Sequence, residues 1–282
     1  MQAAYDRHVH ISARHRLFDL RLREVWQYRD LIRLFTKRSF TVAYKQTILG
    51  PLWLLVNPIL TAFFYVVLFG NIAKLGTDGV PQMLFYLSGT AVWHFFASCL
   101  TGNSSTFVSN AHLFGKVYFP RLVVPIAGVL GSLIRFGIQM LPTAGLMAYY
   151  LAKGAVRPHF SLWIIIPFLL IWLGLLGMGC GVLISGMTTK YRDLSVLVSF
   201  GMQLLLYATP VAYPLSAVPE GLLFWSLLNP VTMPMELFRY ALFGTGRFCL
   251  WSAVLSLTVT VLVTLGGIVL FHKIERSFID TV

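Results

Sequence analysis

Acidic side chains are scarce in this chain. Only ten of its 282 residues are Asp or Glu, and none falls inside a long apolar run. Catalysis by paired carboxylates, as in a glycosidase, and an intramembrane proton relay are therefore both excluded. Cysteine is equally sparse: Cys99, Cys180 and Cys249 are an odd, widely spaced set. They form neither a disulfide framework nor a metal knuckle and read as packing residues. No G-x-x-x-x-G-K-[ST] loop is present, since the Gly115-Lys116 pair is followed by Val117, so the chain does not hydrolyse ATP alone. Residues 1–16 lack the apolar core of a secretory signal, so no cleavable leader is expected. His8, His10 and His15 have only Asp6 as a carboxylate neighbour, which favours a disordered tail over a metal site.

Apolar sequence fills the space that charge leaves. Hydrophobic residues make up 57% of the chain and charged ones 11%, with a mean hydropathy of +0.75, far outside soluble usage. Ten of the 22 Lys and Arg precede Ile48. A pI near 9.9 would suit a nucleic-acid binder, but these basic residues sit at the ends of apolar runs rather than on one polar face, so no nucleic-acid partner is expected. The charge reports membrane orientation.

A bilayer core of about 30 Å needs about 20 helical residues. Apolar runs of that order cover 52–72, 83–101, 122–151, 162–187, 194–212 and 248–271, which predicts an all-α integral membrane protein of six spans with both termini on one side. With the termini in the cytoplasm, the inner pieces carry sixteen of the 22 basic residues, including Lys116, Arg121, Lys190, Arg192, Lys273 and Arg276. That is the positive-inside pattern. Residues 1–17 are expected to be a disordered cytoplasmic tail. Over 18–50, Phe18, Leu22, Val25, Trp26, Tyr28, Leu31, Ile32 and Phe35 recur every three or four positions, with Arg21, Arg23, Arg29, Arg33 and Lys37 between them. The pattern predicts an amphipathic helix in the cytoplasmic interface, basic side toward lipid headgroups. The membrane domain is 51–282.

Five of the 13 prolines lie between 207 and 247: Pro210, Pro214, Pro219, Pro230 and Pro234. The apolar stretches 221–228 and 233–243 are too short to span, so the segment of about 214–245 reads as two short re-entrant helices at the outer face or, alternatively, as an inert loop carrying two surface helices.

Arg135 is the one basic residue inside a span. Gly128, Gly131, Ser132, Arg135 and Gln139 share helical spacing and form a small, polar stripe suited to lining a passage. The bland alternatives for Arg135 are a buried pair with Glu236 or snorkelling outward. Gly177, Gly179 and Gly181, with Ser185, form a small-residue face for close helix packing within or between subunits. In the loop 110–121, Phe114, Val117, Tyr118 and Phe119 would be wasted in water, so they dock on a partner or rest on headgroups.

Several motifs together carry a family resemblance. Tyr44, Lys45 and Gln46 with Leu49, Gly50, Pro51, Leu52 and Trp53 resemble the start of the first span in ABC-2 type permeases that export bacterial polysaccharides. So do Asn57-Pro58, Asn110 with the run from Lys116 to Leu122, the run from Lys190 to Asp193, the run from Ala208 to Pro214, Asn229-Pro230, Glu236 to Tyr240, and the tail from Ile274 to Asp280. The resemblance runs from about residue 19 to the end. It implies half of a homodimer in the bacterial plasma membrane, bound to two copies of a separate ATPase subunit that holds ATP and Mg, with no cofactor on this chain. A coupling helix at about 103–120 would dock on the ATPase through Asn110, His112, Phe114, Lys116, Tyr118, Phe119 and Arg121, beside Lys190, Tyr191, Arg192 and Asp193. A polyprenyl-pyrophosphate-linked glycan would pass Tyr44, Lys45, Trp53, Ser132, Arg135 and Gln139. The outer gate would use Pro210, Tyr213, Pro214, Pro230, Glu236 and Arg239. Among the aromatics, most are expected in lipid or at the interfaces and a minority along a glycan conduit. Arg135-Phe136 departs from the relatives, which carry an acidic residue before this Phe. O-antigen is the first expectation for the polymer, with capsule or teichoic acid behind it. A permease for a drug or small lipid is the alternative, and a membrane glycosyltransferase or acyltransferase lacks the carboxylate or His-Asp motif it would need.

Overall fold

A computed structural model describes the chain except for residues 1–21, 46–47, 115–118, 157, 189–190, 192 and 280–282, and the side chains at 22, 23, 111 and 272–279. The expected amino-terminal tail lies outside the described residues, as do Gln46, Lys116, Tyr118, Lys190 and Arg192. Eleven α-helices and no strand occur among the described residues: α1 (Leu22–Gln27), α2 (Arg29–Tyr44), α3 (Trp53–Tyr65), α4 (Gln82–Ser104), α5 (Thr106–Phe114), α6 (Val123–Ala152), α7 (Ile166–Thr188), α8 (Leu194–Ala208), α9 (Glu220–Leu228), α10 (Thr232–Phe243) and α11 (Leu250–Ile279).

The local signals account for several boundaries. A turn at Gly50–Leu52, with Gly50 in the left-handed region (φ 53°) and Pro51 next to it, starts α3, where a proline's fixed φ suits a first helical turn. The C-terminal end of α3 widens into a π-helical stretch, Val66–Ile72. Gly244 closes α10 in a left-handed C-cap, its N–H donating to Tyr240 O at 2.9 Å.

Five helical stretches are long and apolar enough to cross a membrane: Gly50–Ile72, Gln82–Ser104, Val123–Ala152, Phe160–Thr188 and Leu250–Phe271. The expected fifth span is the exception. α8 has 15 residues, about 22 Å of helix at 1.5 Å per residue, short of a 30 Å core. The helical run ends before Thr209, which is extended ahead of Pro210, the conformation that a following proline favours. Residues 209–212, read as helix from hydropathy, instead form a turn.

α4 is the central helix, buried along most of its length between α6 and α7, and α7 in turn packs on α11. Glycines set these distances. A Cβ at Gly177 would stand 2.8 Å from Cys99 Cβ, and one at Gly181 2.5 Å from Leu100 O; on another face of α7, a Cβ at Gly179 would meet Thr264 Cα at 2.8 Å. The small-residue face therefore packs within the chain, against both α4 and α11. Trp172 Nε1 donates to Thr260 Oγ1 at 3.0 Å across the α7–α11 seam.

Candidate functional site

At one end of the bundle, α5 sits in an aromatic cluster. Phe107 stacks on Phe271 with centroids 4.4 Å apart. Phe114 lies 6.1 Å from Phe107 and 5.8 Å from Phe119, and Phe35 of α2 lies 5.8 Å from Phe119. The Arg121 guanidinium is 5.1 Å from the Phe114 centroid. Val25 and Ile32 complete the cover. Two hydrogen bonds tie this cluster to α7: Phe107 N–H to Ser185 Oγ at 3.2 Å and Thr188 Oγ1–H to Ser104 O at 2.9 Å.

This burial revises the docking assignment. Phe114, Phe119 and Arg121 are 5–7% exposed, so the cover that they need in place of water comes from the chain itself. Asn110 turns back on its own helix, donating to Thr106 O at 2.9 Å. The exposed face of α5 is Val108, Ser109 and His112, and Tyr191 and Asp193 are also exposed. Val108 and Ser109 were not anticipated, although their spacing of four and three residues from His112 is legible in the sequence.

Along α6, Arg135 Nη2 donates to Ser132 Oγ at 3.0 Å, and Ser132 Oγ donates to Gly128 O at 3.0 Å. The Tyr44 phenol lies within the field of Arg135. Burial raises its pKa, and the Arg135 charge offsets part of that rise. The structure thus brings Tyr44, Ser132 and Arg135 together, while Lys45 and Trp53 are exposed and Gln139 is half-buried. Part of the polar stripe is packing surface: Ser132 and Gly131 are buried, and a Cβ at Gly131 would come 3.3 Å from Ser39 Oγ of α2. Thr36 Oγ1 donates to Ala127 O at 3.3 Å. From Thr36 to Tyr44 is about 12 Å of helix, and from Ala127 to Arg135 is also about 12 Å, so α2 runs beside α6 over this stretch.

At the other end, Arg239 takes the partner that one alternative gave to Arg135. Its Nη1 pairs with Glu236 Oε1 at 3.2 Å, both side chains being almost fully buried, which removes Glu236 as a partner for Arg135. Arg239 also donates to Pro210 O and, at 2.9 Å, to Val211 O, and its guanidinium stands 3.9 Å over Phe85 of α4. Glu236 Oε2 accepts from Arg247 N at 3.2 Å. The latch therefore joins α10 to α4, to the turn that ends α8 and to the entry of α11. Phe85 gave no signal in the sequence; the i, i+3 spacing of Glu236 and Arg239 did. Burial pushes the Glu236 carboxyl above its ordinary range, with Arg239 and the Arg247 N–H opposing. Pro210 and Pro214 are buried and Pro230 is half-buried. Tyr213 donates to Tyr207 O at 2.9 Å beside a 670 Å³ cavity between α8 and α9 that Trp225 and Asn229 also line. No group of three His, Cys, Asp or Glu side chains suited to a metal is present among the described residues.

A tightly packed α4, α7 and α11 core, an aromatic-cradled short helix at one end and a latched helix pair at the other define a multi-pass helical membrane protein with a short fifth apolar helix. Residues 30–243 match the family described as ABC-2 type transporter, and the chain belongs to that family. It is similar to an O-antigen export system permease protein RfbA of Klebsiella pneumoniae, 28% identical over 251 residues, which is 89% of this chain and 94% of that protein. A Myxococcus xanthus protein of the same name is 29% identical over 201 residues, 71% of this chain and 74% of its own. The inner membrane transport permease YadH of Escherichia coli K12 is 25% identical over 202 residues, 67% and 75% of the two chains.

Proposed function

We propose that this chain is the membrane subunit of an ATP-driven exporter of a polyprenyl-pyrophosphate-linked polysaccharide, O-antigen first among the candidates. The observation that carries this reading is the similarity to O-antigen export permeases over 89% of the chain and 94% of the relative. YadH, named only as a transport permease, matches at lower identity and over less of the chain, which favours the glycan over a drug or small lipid.

The working unit is a homodimer with two ATPase subunits that carry ATP and Mg, in the bacterial inner membrane with both termini cytoplasmic. Two features support the dimer. α8 has no buried side chain, and Val196, Leu197, Phe200, Leu204 and Tyr207 are all more than half exposed, an apolar face that a second copy would cover. The exposed face of α5, with His112, and the neighbouring Tyr191 and Asp193 receive the ATPase; the aromatic cradle then passes its motion to α2, α6 and α11. The pyrophosphate is drawn by Lys45 and by the Arg135 group, whose planar guanidinium suits phosphate oxygens. α9 and α10 gate the exit.

The test is the lipid-linked glycan pool of a strain lacking the gene, beside a complemented strain. Intracellular accumulation of polyprenyl-linked polymer with loss of surface glycan is expected. An unchanged pool would overturn the glycan reading and leave the small-substrate permease.

A further inference from the structure

The two sides of α2 do different things. One side seats the α5 cradle through Ile32 and Phe35. Another lines an open groove of about 580 Å³ against α6, formed by Arg33, Lys37 and Phe40 on α2 and by Leu130, Leu133 and Ile134 on α6. The groove is amphiphilic along its length. Arg33 and Lys37 stand near the level of Ala127, to which Thr36 is bonded, within about 6 Å of the start of α6. Leu130 to Ile134 lie about 10 to 17 Å along the same helix. All three of these α6 side chains are at least 38% exposed. Cationic groups at the headgroup level and an apolar floor leading inward match one class of molecule. Basic pockets between helices on the cytoplasmic side recruit anionic phospholipids through the same pairing of charge and chain. The acidic neighbour is Asp30, 3.6 Å from Arg33 with both side chains about four-fifths exposed; such an exposed pair is weak and leaves the cationic field in place. Arg38 adds to that field from the next turn.

We infer that this groove holds one anionic phospholipid of the cytoplasmic leaflet, its phosphate on Arg33 and Lys37 and an acyl chain along Leu130, Leu133 and Ile134. Because the same helix seats the α5 cradle, the lipid is a regulatory ligand: its presence sets how firmly α2 supports the segment proposed to receive the ATPase. The inference rests on the cytoplasmic amino terminus proposed above but not on which substrate is exported.

The experiment is native mass spectrometry of the full-length protein, delipidated in detergent and titrated with phosphatidylglycerol or phosphatidylcholine. One phosphatidylglycerol per chain should be retained at about thirtyfold lower concentration than phosphatidylcholine, as about 1 kcal/mol from each of the two basic residues implies. Arg33→Gln with Lys37→Gln should abolish the preference, and Ile134→Trp, which fills the groove and leaves the charges, should abolish retention. Lys37→Gln alone, at an exposed position, is measured alongside and should lose part of the preference. Equal retention of the two lipids, wild-type retention by the variants, or stronger retention of a polyprenyl phosphate would each overturn the assignment. The glycan-pool measurement fails or succeeds independently of this one.

Discussion

Arg239 and Glu236 form a buried ion pair at 3.2 Å inside a latch that also takes the carbonyls of the α8 turn and the face of Phe85. Removing one member strands the other almost fully buried. Glu236→Ala should cost on the order of 3 kcal/mol or more, whereas Glu236→Gln keeps an acceptor for Arg239 and should cost less. Thermal unfolding of the purified protein in detergent, with the two variants side by side, checks the order.

The same carboxyl carries a pH signature. Its pKa is raised in the fold, chiefly by burial, so the folded state holds the proton more tightly than the unfolded chain. Stability from this group is present below the ordinary carboxylate range and is lost as pH rises through the raised value. Wild type should therefore lose more stability than Glu236→Gln as pH rises through that window. Parallel profiles would remove Glu236 as the source.

Gly181 lies where a Cβ would stand 2.5 Å from Leu100 O, while Gly201 on α8 has nothing within 4 Å. Gly181→Leu must push α7 off α4 and should lower stability by at least about 1–3 kcal/mol, the usual cost of overpacking. Gly201→Trp should leave the monomer folded and instead disrupt the proposed dimer face. Melting curves and size-exclusion with light scattering separate the two effects.

Arg135→Ala should reduce export of the glycan about tenfold or more, the loss of a charge-assisted contact of about 1.5–3 kcal/mol, with folding retained because its side chain bonds Ser132 of its own helix. Arg135→Lys should restore part of the rate. Wild-type export by Arg135→Ala would end its assignment to the substrate path.

On α5, the buried and exposed faces should separate. Phe114→Ala opens a cavity in the aromatic cradle and should cost about 3–5 kcal/mol. His112→Asp with Val108→Asp changes only exposed positions and should leave folding intact while weakening co-purification of the ATPase subunit. Retained co-purification would move the docking surface elsewhere.

The membrane class, the span-length apolar runs, the short helices 220–228 and 232–243 and the small-residue seam of α7 were legible because hydropathy, proline and glycine act locally. The fifth span was drawn too long for the same reason: hydropathy ran on through 209–212, where the helix has already ended at Ala208, ahead of Pro210. Charge was legible in number but not in place. Arg239 counts in sequence as one more outer basic residue and Arg135 as the buried one, yet the fold buries Arg239 almost completely and leaves Arg135 partly accessible.

Composition and spacing determined by themselves that this chain lives in a membrane, which segments are helical and which residues could approach closely, since each follows from a transfer cost or a backbone preference of a few neighbouring residues. Tertiary structure decided what each side chain meets: that Phe114, Phe119 and Arg121 shelter within the chain, that Glu236 belongs to Arg239, and that α2 stands beside α6 with a groove between them. Apart from the i, i+3 spacing of Glu236 and Arg239, those outcomes depend on contacts between residues far apart in sequence, 91 positions in the bond from Thr36 to Ala127 and more in the stacking of Phe107 on Phe271, and no local propensity encodes them.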